Sequence, residues 1–419
     1  GLAISAALVL SGCAGQEPGT IDPNEEITLS ISWWGNDERA AIMAEAIDLF
    51  EAKYENITVV EQPVGSPDDL FNRLATDFAG GGKTAPDLFA LGGAKPQEYG
   101  ALGALLDLST VSDFVDTTKY ADFTLTSAIV DGKLYGLPTG GNVLGAFINK
   151  DIFAQAGVDL PTEDWTWDDL VRIADEISAK TPNGIYGLDL RIQDILGTYV
   201  AQNTEFGIYD WDGKLATDAS VVQKWFELEQ RLVAGGGLPD PSVIVQYQNV
   251  ESSQHLFAVG KAAITFGYSN LIGTYGAAGD VTIMAPPGEK PKSGVAVLPS
   301  QYWAINAASA HPEAAALLLD WLLNQPEAAK LIKANRGLPF NPDTLAVVEP
   351  LLSEGDALAA AYLQKALAAG TVAPPQPAGG QILNELSQRM SSDVLFGKAT
   401  PAEAAAQWVA ELSASLAKG

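Results

Sequence analysis

Histidine and cysteine, two side chains that enzymes often use for catalysis, are scarce in this sequence. Among 419 residues there are two histidines, His255 and His311, and one cysteine, Cys13. His255 lies in a helical pattern and His311 precedes a proline at a helix start, so we expect both to be structural or solvated. A single cysteine excludes intramolecular disulfides and metal sites built from cysteines. The residue types therefore nominate no catalytic group, no metal site and no cofactor.

Two short motifs resemble known sites but lack the required spacing. The run "FAGGGKT" (78–84) matches half of a phosphate-binding loop, yet Asp77 occupies the position of its first glycine, so we interpret it as a helix C-cap. "DWDG" (210–213) is too short for a calcium loop and predicts a hairpin turn. The 52 Asp and Glu residues leave a glycosidase-type carboxylate pair open, although no local pattern nominates one. A secreted enzyme acting on polysaccharide is therefore one alternative.

Aromatic residues are abundant, with nine tryptophans and twelve tyrosines. Aromatic faces pack against the C–H groups of sugar rings, and polar side chains then bind the hydroxyls. "ISWWGNDER" (31–39) places Trp33 and Trp34 on opposite faces of a predicted strand, and strand geometry alone does not decide which is in the core. We expect five other tryptophans to be mostly structural: Trp165, Trp167, Trp225, Trp321 and Trp408.

The elements around this stretch alternate between strands and helices. "ITLSISWW" predicts a strand, a helical pattern starts at Asp37, "ITVVEQ" predicts a second strand, 68–79 a helix and "PDLFAL" a third strand. This order predicts a parallel, doubly wound α/β sheet, which binds ligands beyond the carboxyl ends of its strands. Residues 33–37 fall at that place.

A second region, 132–150, interrupts this alternation. Its two strand-like runs, "KLYGLP" and "VLGAFIN", are joined by Thr139, Gly140 and Gly141. The glycines give the backbone freedom to turn, and Pro138 prevents a simple continuation. We predict that the chain passes here from one lobe to another.

The length and charge restrict the class of protein. A chain of 44.0 kDa is too long for one ordinary domain, so two lobes are expected. The net charge of −28 repels nucleic acids and anionic lipids, so we expect no nucleic-acid partner. It also favours a neutral ligand, although Arg39, Lys95 and Arg191 could form a local basic pocket.

The first residues predict an export signal. Residues 1–12 are small or apolar and are too few to span a bilayer, so we expect the chain to begin inside a signal peptide. "LSGC" (10–13) resembles a bacterial lipobox, which implies lipidation of Cys13. The polar run 13–26 predicts a flexible tether. We expect an extracytoplasmic protein that is held at the cell membrane only by this lipid.

Several blocks of the sequence resemble the maltose-binding-protein-like class of extracellular solute-binding proteins. They include "WWGNDERAAIMAEAIDLFEAKYENITV", "APDLFALGGAKPQEYGALGALLDLS", "FAVGKAAITFGYSNLI", "NRGLPFNP" and, most specifically, "DGKLYGLPTGGNVLGAFINKDIFAQAGVDLPTEDWTWDDL". The resemblance implies two α/β lobes joined by a hinge with several crossings, near 138–145, 297–303 and 345. We expect an N-terminal lobe of 27–140 plus 301–345 and a C-terminal lobe of 141–300 plus 346–419.

The same resemblance implies a monomeric, non-enzymatic receptor of a carbohydrate ABC importer. It would capture a mono- or oligosaccharide between the lobes and deliver it to membrane permease subunits. A binding protein for a non-sugar solute, such as a polyamine or a glycerophosphodiester, is the other alternative. The resemblance makes Trp34 the expected sugar platform and Trp33 the core residue. The ligand-binding residues that it implies are Trp34, Asn36, Asp37, Arg39, Gly93, Lys95, Asn142, Asp194, Tyr268, Asn270, Tyr302, Trp303 and Gly380.

Overall fold

The computed structural model describes residues 21–288, 295, 297–369, 374 and 376–418. The expectations for the signal peptide, for Cys13 and for tether residues 13–20 lie outside the described residues.

The described strands form two main sheets and a short pair. In chain order they are β1 (Ile27–Trp34), β2 (Ile57–Val64), β3 (Leu88–Leu91), β4 (Ile129–Val130), β5 (Lys133–Leu134), β6 (Leu137–Pro138), β7 (Gly141–Asn149), β8 (Tyr186–Asp189), β9 (Ala262–Tyr268), β10 (Val281–Met284), β11 (Val297–Pro299) and β12 (Tyr302–Ile305).

The described α-helices surround the two main sheets. They are α1 (Asp37–Lys53), α2 (Pro67–Ala79), α3 (Lys95–Ala101), α4 (Asp122–Leu125), α5 (Lys150–Ala156), α6 (Trp167–Lys180), α7 (Ile192–Asn203), α8 (Ala219–Gly235), α9 (Pro241–Tyr247), α10 (Ile272–Tyr275), α11 (Pro312–Asn324), α12 (Pro326–Ile332), α13 (Pro342–Val348), α14 (Glu354–Ala369), α15 (Leu383–Leu395) and α16 (Pro401–Leu416).

The first sheet has the order β2-β1-β3-β12-β6. As predicted, β1, β2 and β3 are parallel, with Ile27 opposite Ile57 and Ile31 opposite Leu88. Their carboxyl ends therefore meet at one edge of the sheet. Because β12 runs antiparallel to β3, its first residues lie at that same edge. Trp33 is fully buried in this sheet, which confirms its predicted place in the core.

The second sheet has the order β10-β7-β9-β8, with β11 added along β7. It is mixed: β8 and β9 are parallel, whereas β7 runs antiparallel to β9. The end of β9 and the start of β7 consequently lie at one edge, with Leu144 opposite Tyr268. A separate hydrophobic cluster fills this part of the chain and buries Trp165, Trp225 and Trp408, as expected for structural tryptophans.

The helix starts follow from local side-chain chemistry. Asn36 caps α1, and Ser66 caps α2 one residue before a proline at the first helical position. Thr166 and Asp169 form a capping box at α6. Such caps place each helix start directly after a strand or turn, so the strand ends and helix N-termini lie together.

Three chain segments meet where the two sheets adjoin. Pro299 pairs with Gly141, and Tyr302 pairs with Pro138, so the outgoing and returning segments run side by side. The amide of Gly141 also donates to the carbonyl of Leu338 at 2.8 Å. This is the place where a hinge was expected, and the exact lobe boundaries stay a prediction.

Candidate ligand-binding site

A polar cavity of about 330 Å³ lies beside these three segments. Its lining comes from the surroundings of both sheets. Arg39 lies on α1, which follows β1 of the first sheet, while Asn142 lies on β7 and Asn270 in the turn after β9 of the second sheet. The other lining residues are Ser269, Ser300, Gln301, Ala334, Asn335, Arg336, Gly337, Leu338, Asp356 and Ala359. Amide and hydroxyl groups dominate this lining, which is the chemistry that binds sugar hydroxyls. Of the predicted ligand-binding residues, Arg39, Asn142 and Asn270 come together here.

Arg39 is held in the cavity wall by hydrogen bonds. Its Nε donates to Asn335 Oδ1 at 2.8 Å, its Nη2 to the Asn335 carbonyl at 2.8 Å, and its Nη1 to the Trp34 carbonyl at 3.3 Å. A Cβ on Gly35 would lie 2.5 Å from Arg39 Cδ, so glycine at this turn allows the side chain to fold back. Partial burial lowers the pKa of Arg39, although a guanidinium stays charged at neutral pH.

Asn36 and Asp37 lie at the start of α1 and are exposed. Asn36 Oδ1 accepts the Arg39 amide at 3.0 Å, so this oxygen caps the helix. Neither residue is among those that line the cavity. Their predicted contact with a ligand stays a prediction.

An aromatic platform lies at the carboxyl edge of the first sheet. Trp34, the last residue of β1, is half-buried and packs edge-to-face against Phe71, with 5.6 Å between ring centroids. Gly92 lies beside the Trp34 ring, and a Cβ there would be in ordinary contact with it at 3.5 Å. Lys95 Nζ lies 5.6 Å from the centre of the Phe71 ring and 2.7 Å from Glu98. We call Trp34 and Phe71 the aromatic platform.

Phe71 is a residue that the sequence reasoning missed. It lies in the first turns of α2, which follows β2, and β2 ends at the same edge as β1. The strand order would have nominated it if all three strand ends had been searched. Gly93 follows β3 in a left-handed turn with φ 55° and is exposed, so it can present only backbone to a ligand.

Asn142, Tyr268 and Asn270 lie at one edge of the second sheet, where β7 starts and β9 ends. Asn142 Nδ2 donates to Ser300 Oγ at 3.1 Å, and the Val143 amide donates to Ser269 Oγ at 3.0 Å. Tyr268 is half-buried, and burial with Asp194 nearby raises the pKa of Tyr268 to about 12. Its hydroxyl therefore stays protonated at neutral pH and can donate a hydrogen bond.

A buried polar network supports this edge of the second sheet. Arg191 lies 2.7 Å from an Asp194 oxygen, and its Nη2 donates to the Tyr275 hydroxyl at 3.1 Å. That hydroxyl lies 2.9 Å from Nδ1 of His255. Burial, together with the charge of Arg191, lowers the pKa of His255 to about 4, so the imidazole is neutral at pH 7 and shares a hydrogen bond with the Tyr275 hydroxyl. His255 is thus structural, as expected, and Asp194 is held by Arg191.

The structure does not support two of the predicted aromatic contacts. Tyr302 and Trp303 are 2% and 0% exposed. Their strand, β12, lies between β3 and β6, and α11 packs against it, so neither ring has a face toward the cavity. Trp303 packs instead against the Arg336 guanidinium, 4.7 Å from its ring centre.

Gly380 is also absent from the cavity lining. It is buried against Tyr209, whose hydroxyl donates to the Gly380 carbonyl at 3.4 Å. A Cβ at this position would lie 2.6 Å from the Tyr209 oxygen. This close packing explains the glycine without a ligand, so the predicted role of Gly380 is not supported.

The described residues offer little to other kinds of site. No group of three His, Cys, Asp or Glu side chains in the described ranges could hold a metal ion. Within those same ranges, every helix is too short or too polar to cross a membrane.

The comparison with known families agrees with this geometry. The model of the bacterial extracellular solute-binding proteins matches residues 34–329. This chain belongs to that family. The family match confirms the resemblance predicted from the sequence, and the α/β fold with two lobes is confirmed by solved structures of solute-binding proteins.

Individual relatives of this solute-binding protein are distant. A lactose-binding protein of Rhizobium radiobacter is 25% identical over 212 residues. The match covers 49% of this chain and 49% of the relative, so this chain spans about half of the relative's length. An uncharacterised ABC transporter extracellular-binding protein of Pyrococcus horikoshii is 27% identical over 77% of this chain and 76% of its own. A periplasmic oligogalacturonide-binding protein of Yersinia enterocolitica has the same fold, with a TM-score of 0.79 at 22% identity over 93% of this chain and 100% of its own.

Proposed function

We propose that this solute-binding protein captures a saccharide for an ABC importer. The observation that carries the proposal is the amide-rich cavity between the two sheets, with the aromatic platform at the end of β1. Sugar recognition needs this combination, since an apolar ring face and many hydroxyls must be bound together. The lactose-binding relative supports the same ligand class.

Ligand capture would follow from the three segments that meet beside the cavity. Arg39 and the platform lie on β1 and on the helices that follow β1 and β2 of the first sheet, whereas Asn142 and Asn270 lie on β7 and in the turn after β9 of the second. A ligand that contacts both sets is bound better when the lobes close, and this difference in affinity drives the closure. The closed protein would then deliver the saccharide to the permease subunits.

A thermal-shift screen tests this function. The purified protein is heated with lactose, galactooligosaccharides, arabinooligosaccharides, a polyamine and a glycerophosphodiester. Ligand at a hundredfold excess over its Kd adds roughly 2.7 kcal/mol, which corresponds to a shift of a few degrees. A response to a saccharide supports the proposal. A response only to the polyamine or the phosphodiester, or release of reducing sugar by the purified protein, would contradict it.

We also propose that Cys13 carries the lipid that anchors the protein at the outer face of the cell membrane. The support is the "LSGC" tetrapeptide after an apolar run. Cys13→Ser should release the protein into the soluble fraction of cells that express the full precursor. Labelling with a clickable fatty acid checks this, because the label should appear on the unchanged protein and be absent from the variant.

A further inference from the structure

The arginines of this chain fall into two groups. Five of the seven lie within 4 Å of a carboxylate: Arg73, Arg172, Arg191, Arg231 and Arg389. Arg39 and Arg336 have no such partner among the described residues, although acidic residues outnumber basic ones by 52 to 24. Both line the same 330 Å³ cavity. The two unpaired guanidiniums are therefore concentrated at the candidate ligand site.

Arg39 has donor capacity to spare. A guanidinium carries five N–H groups, and the bonds to Asn335 and the Trp34 carbonyl use three of them. One N–H on each terminal nitrogen is left without an acceptor in the described part of the chain. Two terminal N–H groups match the paired oxygens of a carboxylate or phosphate.

Arg336 is buried, with 2% of its surface exposed. Its Nη1 donates to Gln301 Oε1 at 2.6 Å, and its Nε contacts the sulfur of Met43 at 3.4 Å. Its Nη2 is buried without a hydrogen-bond partner among the described residues. Burial and the charge of Arg39 lower the pKa of Arg336 well below its usual range. A buried charge without a counter-ion is costly, and an anion in the cavity would relieve that cost.

We propose that the saccharide bound in this cavity carries an anionic oxygen group, the carboxylate or phosphate of an acidic sugar, and that Arg39 and Arg336 provide its positive counter-charge. This rests on the proposed function and names the class of saccharide. It replaces the earlier expectation of a neutral ligand, which was based on the net charge of the chain. Of the cations expected to form a basic pocket, Lys95 is paired with Glu98 and Arg191 with Asp194.

One lining residue opposes an anion. Asp356 on α14 is the only carboxylate among the residues that line the cavity, and its Oδ2 accepts from Ser353 Oγ at 2.8 Å. This bond directs one oxygen toward the helix start. Asp356→Asn removes the negative charge and should tighten binding of an acidic sugar by more than it changes the affinity of its neutral counterpart.

The experiment compares pairs of ligands in which one member carries the anionic group and the other lacks its charge. Isothermal titration calorimetry with the purified protein uses trigalacturonate against its methyl ester, and glucose 1-phosphate against glucose. We expect at least one charged member to bind about tenfold or more tightly than its neutral counterpart, since hydrogen bonds to charged groups are the strong ones. The pair that shows the difference distinguishes a carboxylate from a phosphate.

Variants connect this difference to the cavity. Arg39→Gln should reduce the ratio between the charged and the neutral ligand, whereas Arg39→Lys, which keeps the charge, should retain part of it. Arg389→Gln is the matched control, because it removes a surface arginine paired with Glu411 and should leave the ratio unchanged. Circular dichroism verifies that each variant is folded.

The outcomes separate this inference from the proposed function. If neutral saccharides bind as tightly as every charged counterpart, the inference is wrong and the receptor function stands. The same conclusion holds if charged ligands bind better but Arg39→Gln and Arg389→Gln behave alike. If no saccharide binds, charged or neutral, then the proposed function fails together with the inference.

Discussion

Glu229 gives the sharpest prediction, because its carboxyl is buried with no basic partner in the part of the chain that the structure describes. It lies on α8 with 1% of its surface exposed. Its two oxygens accept from Trp225 Nε1 at 2.8 Å and from Ser391 Oγ at 2.7 Å, so it joins α8 to α15. Burial outweighs these hydrogen bonds and raises the pKa of Glu229 from its ordinary value of 4.5 to about 7.

The sign of the pH dependence follows from this pKa. The fold favours the neutral carboxyl, so the contribution to stability is fully present below pH 4.5 and is lost as the pH rises through about 7. Each unit of pKa difference is worth about 1.4 kcal/mol. The interval from 4.5 to about 7 therefore corresponds to a fall of about 3 kcal/mol in the free energy of unfolding between pH 4.5 and pH 8.

Glu229→Gln should remove this dependence, since an amide of the same shape stays neutral and can keep both contacts. Urea unfolding followed by tryptophan fluorescence at pH 5, 6, 7 and 8 measures it. The quantity to compare is the difference between the two proteins, because the net charge of −28 adds a pH dependence common to both. Glu227→Gln, an exposed change on the same helix, is the control. Parallel pH profiles for the original protein and Glu229→Gln would refute the reasoning.

Three further substitutions test the site and its hinge. Trp34→Ala should weaken saccharide binding about tenfold or more by calorimetry, because an aromatic anchor typically contributes about 2 kcal/mol; loss of stability with unchanged affinity would contradict this. Gly140→Ala places a Cβ 2.4 Å from the Leu338 carbonyl oxygen, so the thermal midpoint should fall by the equivalent of about 1–3 kcal/mol; an unchanged midpoint would show that the hinge relaxes freely. Trp303→Ala should cost about 3–5 kcal/mol of unfolding free energy in calorimetry, because the ring is fully buried; a small loss would contradict the assignment of this ring to the core.

The fold was accessible from the sequence because its signals are local. The alternation of strands and helices, the strand-ending "WWGND" and the interruption at 138–141 all depend on residues close along the chain. Parallel strands joined by helices necessarily bring their carboxyl ends to one edge. That rule placed Trp34 and Arg39 at the correct end of the first sheet, and it would have placed Phe71 there as well.

Tertiary structure alone decided which residues face the cavity. Tyr302 and Trp303 follow the predicted hinge crossing, but β12 lies inside its sheet and buries them. The order of the strands in a sheet depends on contacts between distant segments, so one strand's sequence does not predict it. Arg191 pairs with Asp194 three residues along the chain, which is a local contact, whereas Arg336 lines the cavity beside Arg39 although the two are far apart in sequence. Sequence therefore determined the class of the protein and the sheet edge at which we place its ligand. The identity of the contacts depended on long-range packing, which sets burial.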